Sequence, residues 1–246
     1  MRAVLLIIGV LVSLAAGHLA YVENSEGIIE FEAKINLHRT LPEDRQKVKS
    51  MIPEFRTTRH QLLFRGTESL YKPVEEDIDE DPDFSNGEGM RVQFRQPHVE
   101  VYFDHASSKR ITQREFMGKE YLIEDSLKMP PWKFGTETKT VMGFNCRQVM
   151  YHDEEQKQEV VAWYTPELRP FLGPDNFNTL PGAVLEVDIN NGERVISAIN
   201  FDKRPLKRNT IKVPVRGAKV THEEFKKLVH EQVQNRRTNG ANVIIR

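Results

Sequence analysis

Ala183-Val-Leu-Glu-Val-Asp-Ile-Asn190-Asn-Gly192-Glu-Arg-Val-Ile-Ser-Ala-Ile-Asn-Phe201 decides the architecture of this chain. Ala183, Leu185, Val187 and Ile189 alternate with Glu186 and Asp188, the period of a strand with one buried face. The alternation meets Asn190-Asn191-Gly192 and resumes as Val195, Ser197, Ile199 and Phe201. Asn-Gly between two alternating runs is a strong short-range hairpin signal, because both residues accept the positive φ of a type I′ turn. Two antiparallel strands are therefore expected here.

The same grammar extends upstream. Val141 to Tyr151 and Glu159 to Thr165 flank the polar loop HDEEQK and read as a second hairpin; before them Tyr121 and Ile123, then Val99, Val101 and Phe103, mark further short strands. Nearer the start, Ile29, Phe31, Ala33, Ile35 and Leu37 alternate with Glu30, Glu32, Lys34, Asn36 and His38, predicting a strand over 27–38. Thr40-Leu-Pro-Glu43 has capping-box spacing, with Leu41, Val48 and Ile52 behind it, and predicts a short helix ended by Pro53. Phe55 to Tyr71 reads as extended, with Thr58, His60, Leu62 and Phe64 on one face. Strands in this succession, without helical crossovers between them, specify an antiparallel meander rather than a parallel sheet.

Three segments stand outside the sheet pattern. Residues 1–20 begin with Arg2 and a fifteen-residue apolar run, Ala3 to Gly17, the size of a signal-peptide core; Ala15 and Gly17 allow cleavage near His18, and Ala20 offers a second site. The expectation is an exported chain, 21–246, forming one β-rich domain with no transmembrane anchor after processing. Residues 73–90 hold seven carboxylates between Glu75 and Asp83 with almost nothing to bury, so this is expected to be an acidic flexible loop without the ligand spacing of a calcium-binding loop. Residues 203–246 carry twelve Lys and Arg against three Glu, and Thr221-His-Glu-Glu224 opens an amphipathic helix with Phe225, Leu228, Val229 and Val233 on one stripe. This basic C-terminal helical region suggests attraction to the acidic loop or to an anionic surface, with the helix docked on the sheet.

Composition bounds the function. The 246 residues include 35 Lys and Arg against 36 Asp and Glu, so wholesale attraction to nucleic acid is not expected. One cysteine, Cys146, cannot form an internal disulfide, and the face it shares with Met142, Phe144 and Met150 predicts a buried, inert thiol. No nucleophile elbow, phosphate-binding glycine loop, dinucleotide fingerprint or His-Glu-x-x-His occurs. The histidines are dispersed: His98 and His105 flank one strand and fall on opposite faces, and His222 and His230 lie two helical turns apart. No catalytic residues, cofactor or metal ligands are assigned from these patterns.

The stretch from Ala162 to Ile189, AWYTPELRPFLGPDNFNTLPGAVLEVDI, is the most distinctive. Pro166, Pro170, Pro174 and Pro181 exclude a regular helix or central strand, so an irregular, stiff connection is expected between two strands. Leu180-Pro181-Gly182 fits a tight turn, with glycine supplying a positive φ. Trp163, Tyr164, Phe171 and Phe177 either line a sugar- or peptide-binding surface or cover the open end of a core.

The block resembles the GLPGLI family of exported Bacteroidota proteins. Thr179-Leu-Pro-Gly-Ala-Val184 stands where the family motif would, keeping Leu-Pro-Gly but not the leading glycine or the closing Leu-Ile. Gly143-x-x-Cys146, Ala162-Trp-Tyr-Thr165, Gly173-Pro174 and Leu185-Glu186 extend the likeness, as do the early Gly27-Ile-Ile-Glu-Phe-Glu strand and the Thr-x-Glu-Glu-Phe helix. The resemblance implies a fold similar to the bowl-shaped accessory domain of some peptide-N-glycosidases, and binding rather than catalysis. In outline the fold is also similar to envelope lipoprotein carriers, which would leave an apolar cavity between sheet and helix.

The sequence thus specifies a mainly β (α+β) protein: a strongly curved antiparallel meander with one or two packed helices, bowl or half-barrel like. The expected role is a non-enzymatic secreted or periplasmic envelope accessory binding a protein, peptide, lipid or glycan; the alternative is a carbohydrate-binding module associated with a glycan hydrolase. Candidate binding or family-motif residues are Trp163, Tyr164, Gly173, Pro174, Phe177, Leu180, Pro181 and Gly182.

Overall fold

A computed structural model describes residues 25–41, 49–50, 52–74, 83–85, 91–93 and 98–238. In chain order its elements are β1 (Glu26–Asn36), α1 (Leu37–Thr40), β2 (Phe55–Arg65), β3 (Glu68–Pro73), β4 (Asp83–Ser85), β5 (Arg91–Gln93), β6 (Val99–Asp104), β7 (Lys109–Phe116) and β8 (Lys119–Ser126). They continue as β9 (Lys133–Val141), β10 (Phe144–Asp153), β11 (Gln158–Thr165), β12 (Ala183–Ile189), β13 (Arg194–Asp202), β14 (Ala218–Thr221) and α2 (His222–Thr238). Twelve strands make one open sheet in the order β14-β8-β7-β6-β3-β2-β1-β13-β12-β11-β10-β9, and β4 pairs with β5 apart from it.

Two meanders share β1 as their seam. One arm runs outward from β1 to β8; the chain then jumps to the far edge and the second arm returns from β9 to β13, which pairs antiparallel with β1. That jump forces the curvature. Ten inter-strand steps separate β8 from β9, about 48 Å in a flat sheet. The connection between Ser126 and Lys133 spans only about 25 Å when fully extended. The sheet must curl until its edges approach, which makes it a bowl. Lys226 Nζ on the C-terminal helix reaches Glu155 of the β10–β11 turn at 2.7 Å, and Lys128 approaches Glu223 at 3.9 Å, fastening the two edges.

Register sets the inner face. Ile29, Leu62, Tyr71, Val101, Thr112 and Ile123 stand side by side across the first arm. Arg194, Ile189, Val160 and Tyr151 do so across the second. Ile29, Phe31, Leu62, Phe64 and Tyr71 form one core with Leu172, Leu185 and Ile196; Val149, Val160, Leu180 and Val184 form another. Leu172 and Leu180 belong to the 166–182 connection, which therefore fills the concavity. The C-terminal helix lies at the β8/β14 edge, its Phe225 ring against Phe116 and Tyr121 at 5.9 and 5.4 Å. On the outer face of the first arm, Ile28, Leu63, Leu70, Tyr102, Ile111 and Leu122 are covered by Leu206 and Ile211 of the segment between β13 and β14.

Several expectations change. The first strand ends at Asn36, not His38: Asn36 caps a single helical turn by accepting from Arg39 N at 3.1 Å. Leu37 is nonetheless buried, against Ile52. The extended run 55–71 is two strands split at Gly66, whose φ is 53°. Likewise Val141–Tyr151 breaks at Met142-Gly143, both at positive φ (51° and 84°), and Met117-Gly118 turns the β7–β8 hairpin in the same way. On β13 the buried residues are Ile196 and Ala198, while Ile199 is 43% exposed. A bulge opposite Glu30/Phe31 then returns Phe201 to the core side. One pair departs from the antiparallel rule, since β14 runs parallel to β8.

Of the acidic segment 73–90, Pro73 closes β3 and Asp83–Ser85 is a strand; the remainder beyond Val74 lies outside the described residues, as do the expected leader 1–20 and residues 42–48 and 51 of the helix expected between Thr40 and Pro53, of which Lys49 and Ser50 form a 3₁₀ turn and Leu41 and Ile52 are not helical. Within 203–246 the helix begins only at His222. Its capping box forms as read, Thr221 N donating to Glu224 Oε2 at 2.7 Å and Glu224 N to Thr221 Oγ1 at 3.2 Å.

Candidate functional site

The connection from Pro166 to Gly182 is held in the bowl by its own backbone. Phe171 N donates to Leu180 O at 3.1 Å, Phe177 N to Pro174 O at 3.0 Å and Val184 N to Leu172 O at 2.9 Å. Phe171 and Asp175 sit at positive φ, 59° and 52°, where the loop reverses. Gly182 is not at positive φ, contrary to the turn reading. Its need for glycine is steric: a Cβ there would overlap the carbonyl oxygen of Thr165 and press on the Tyr164 ring. Gly173 repeats the arrangement against the carbonyl of Phe177. The motif is therefore a close-packed backbone junction rather than a hydrogen-bonded turn.

Polar side chains tie this loop to the sheet. Arg169, 2% exposed, donates from Nη2 to Glu68 O at 3.0 Å and lies 5.5 Å over the Phe64 ring. Burial pulls its pKa down to about 10, so it remains a cation at neutral pH. Arg110 Nη2 donates to Asn178 Oδ1 at 2.8 Å, and Arg194 meets Asp175 at 3.4 Å. Tyr71 is buried, with burial and then the Asp175 charge holding its phenol protonated far above its ordinary range. Burial, with smaller contributions from Asp153 and Asp175, pushes Tyr151 up to about 12. Among the described residues no hydrogen-bond partner meets the Tyr71 hydroxyl or the Nε atoms of Arg110, Arg169 and Arg194. These groups offer fixed donors and charge to the loop.

Where the loop reaches the opening near β9, aromatic side chains collect. Trp132 stands edge-on to Tyr151 at 4.6 Å and anchors its indole by donating to Thr179 Oγ1 at 2.9 Å. Phe177 packs on the same cluster. Phe134 continues the row on β9, opposite Val149, and is 64% exposed; Met129, on the strand-to-strand connection, is 68% exposed. Asn176, next to Phe177 in the chain, is exposed. This rim combines partly accessible rings with the exposed amide of Asn176 next to Phe177 in the chain. Sequence reading did not single out Trp132, Phe134 or Tyr151, since it is the register of β9 on β10 and the fold-back of the 166–182 connection that set them beside Phe177.

The residues expected to form a surface are distributed differently. Tyr164, Gly173, Pro174, Leu180 and Gly182 are buried, Trp163 and Phe177 are half-buried, and Pro181 is exposed. Tyr164, Phe177 and Leu180 share one cluster, whereas Trp163 packs against the other and is covered by Lys139, whose Nζ lies 4.4 Å over its ring and pairs with Glu186. Cys146 is fully buried, and burial raises its thiol to about 11, which keeps it protonated and unreactive. Among the described residues no group of three His, Cys, Asp or Glu side chains stands close enough to hold a metal ion, and no helix is long and apolar enough to cross a membrane.

An open, strongly curved sheet with its concavity occupied by a proline-rich loop defines the class of fold. Among solved structures it is similar to PNGF-II, in the P21 crystal form with a TM-score of 0.56 and 11% identity over 84% of this chain and 33% of that one. In the C2 form the TM-score is 0.55, with 12% identity and the same coverage. The chain thus spans about a third of PNGF-II, and at this identity the likeness is one of fold. No family model matches the chain, and no curated protein matches it in sequence.

Proposed function

We propose that this protein is an exported, non-enzymatic accessory domain that binds its ligand without transforming it, and that the ligand is a glycan carried by an envelope or secreted protein. The observation that carries this reading is the aromatic rim of Trp132, Phe134, Tyr151 and Phe177 at the mouth of a bowl whose interior is already filled by residues 166–182. Flat rings present apolar faces to the C–H faces of sugars, and a neighbouring amide accepts from and donates to hydroxyls; the rim has the rings, and Asn176 beside Phe177 supplies the amide. The filled concavity argues against a carrier of lipid within the bowl. Likeness to a third of a peptide-N-glycosidase supports glycan as the ligand class, since a domain of that shape occurs within a protein acting on N-glycans.

The test incubates the purified chain with an N-glycosylated glycopeptide and follows binding by calorimetry and glycan release by mass spectrometry. Binding without release, lost in Phe134→Ala with Tm unchanged, is expected. Release of the glycan would make the chain an enzyme, and no binding to any glycopeptide would remove the glycan from the reading.

A further inference from the structure

The segment joining β13 to β14 presents a second surface, on the opposite side of the sheet from the rim. Residues 203–219, KRPLKRNTIKVPVRGAK, contain seven Lys and Arg and no acidic residue. The segment is pinned: Leu206 and Ile211 sit in the outer core, Pro214 is buried, Leu206 N donates to Glu26 Oε2 at 3.1 Å and Arg216 N to Gln113 Oε1 at 3.4 Å. With the apolar residues between them turned inward, Lys203, Arg204, Lys207, Arg208, Lys212, Arg216 and Lys219 are all exposed. Nearby carboxylates engage two of them, Asp202 with Arg204 at 3.2 Å and Glu124 with Lys219 at 3.9 Å, and Glu100 lies in the field of Arg216. Lys203, Lys207, Arg208 and Lys212 have no carboxylate within ion-pair distance among the described residues.

The second feature is apolar. Val213 and Val215 flank the buried Pro214 and point outward, 42% and 78% exposed, between Lys212 and Arg216. A soluble polyanion makes use of cations alone and gains nothing from a bare valine. A bilayer surface engages both, taking lysine and arginine at the headgroups and a small apolar side chain at the headgroup–acyl boundary. We infer that the 203–219 strap is a peripheral docking surface for an anionic lipid bilayer, with Val213 and Val215 seated below the phosphates and Lys207, Arg208 and Lys212 among them. The docked orientation turns the aromatic rim away from the membrane. The inference stands independently of the glycan reading, since it uses no residue of the rim.

Flotation with vesicles of phosphatidylcholine alone, or with about one third phosphatidylglycerol, tests it on the full chain. Binding is expected only to the anionic vesicles, weakening steeply with added salt. Lys207→Gln with Arg208→Gln should weaken it by about fivefold per cation removed. Val215→Ser, which leaves every charge in place at an exposed site, should weaken vesicle binding several-fold while leaving binding to soluble dextran sulfate unchanged. Absence of binding to anionic vesicles overturns the inference. So does a Val215→Ser variant that binds vesicles as well as wild type does, because the surface would then be a site for a soluble polyanion.

Discussion

At the scale of single residues, two glycines and one arginine hold the loop that fills the bowl. A Cβ at Gly182 or Gly173 meets backbone carbonyls, which cannot move without displacing a strand end, whereas one at Gly143 meets nothing and faces only its positive φ of 84°. Gly182→Ala is therefore expected to cost about 3 kcal/mol and Gly182→Val to prevent folding, while Gly143→Ala costs about 1 kcal/mol. Urea unfolding of the variants checks the ranking; equal losses at 143 and 182 would mean that the contact of a Cβ with the Thr165 carbonyl is relieved at no cost. Asp175 is more than a loop polar group, because it faces Arg194 at 3.4 Å and the buried Tyr71. Asp175→Ala should lower stability by about 1–2 kcal/mol, and Asn176→Ala, exposed next to it, by less than about 0.5 kcal/mol. If both are neutral by thermal unfolding, the Asp175–Arg194 contact contributes nothing.

At the scale of elements, what the sequence made legible was the hairpin that announces itself with Asn-Asn-Gly and the strands whose alternation is clean. Those expectations failed where both alternants are apolar or the turn residue is unusual. Val195, Ile196 and Ile199 offer apolar side chains to both faces of β13, so periodicity alone could not choose Ile196. Met117-Gly118 and Met142-Gly143 adopt positive φ at a methionine, a residue carrying no turn signal, and so the β7–β8 hairpin goes unread and the β9–β10 hairpin reads as part of one continuous strand. The rim was illegible for another reason, since the β9–β10 register and the fold-back of the 166–182 connection, not a local pattern, bring Trp132, Tyr151 and Phe177 together. One pair at the end of β6 gives an element-scale prediction with a sign. The hydrogen bond between His98 and Glu100, 3.1 Å long, raises the imidazole pKa and lowers that of the carboxylate. The histidine contribution is present below its unfolded pKa and is lost as pH rises through the raised folded value; the carboxylate contribution is present above its unfolded pKa and is lost as pH falls. Stabilisation by the pair is thus greatest at about pH 5–6. Both groups are partly exposed, so the Tm gap between wild type and His98→Gln should be small, largest in that window and shrinking as pH rises through the raised imidazole pKa. A gap that widens toward pH 8 would mean that the neutral ring is the stabilising form.

At the scale of the whole molecule, curvature is the consequence of one short connection. Because residues 127–132 must carry the chain from β8, one strand in from one edge of a twelve-stranded sheet, to β9 at the other edge, the edges approach, the inner face becomes a concavity, and the proline-rich stretch 166–182 fills it. With the bowl filled from within, the proposed recognition falls on its rim. The chain contains two tryptophans, and they stand on different surfaces: Trp132 on the rim and Trp163 beneath Lys139. A ¹⁵N–¹H spectrum accordingly has two indole signals, each reporting one candidate surface. Titrating an N-linked glycopeptide should shift the Trp132 indole signal, with Trp163 unmoved. A shift confined to Trp163, or none at either ring at saturating glycopeptide, would contradict recognition at the rim.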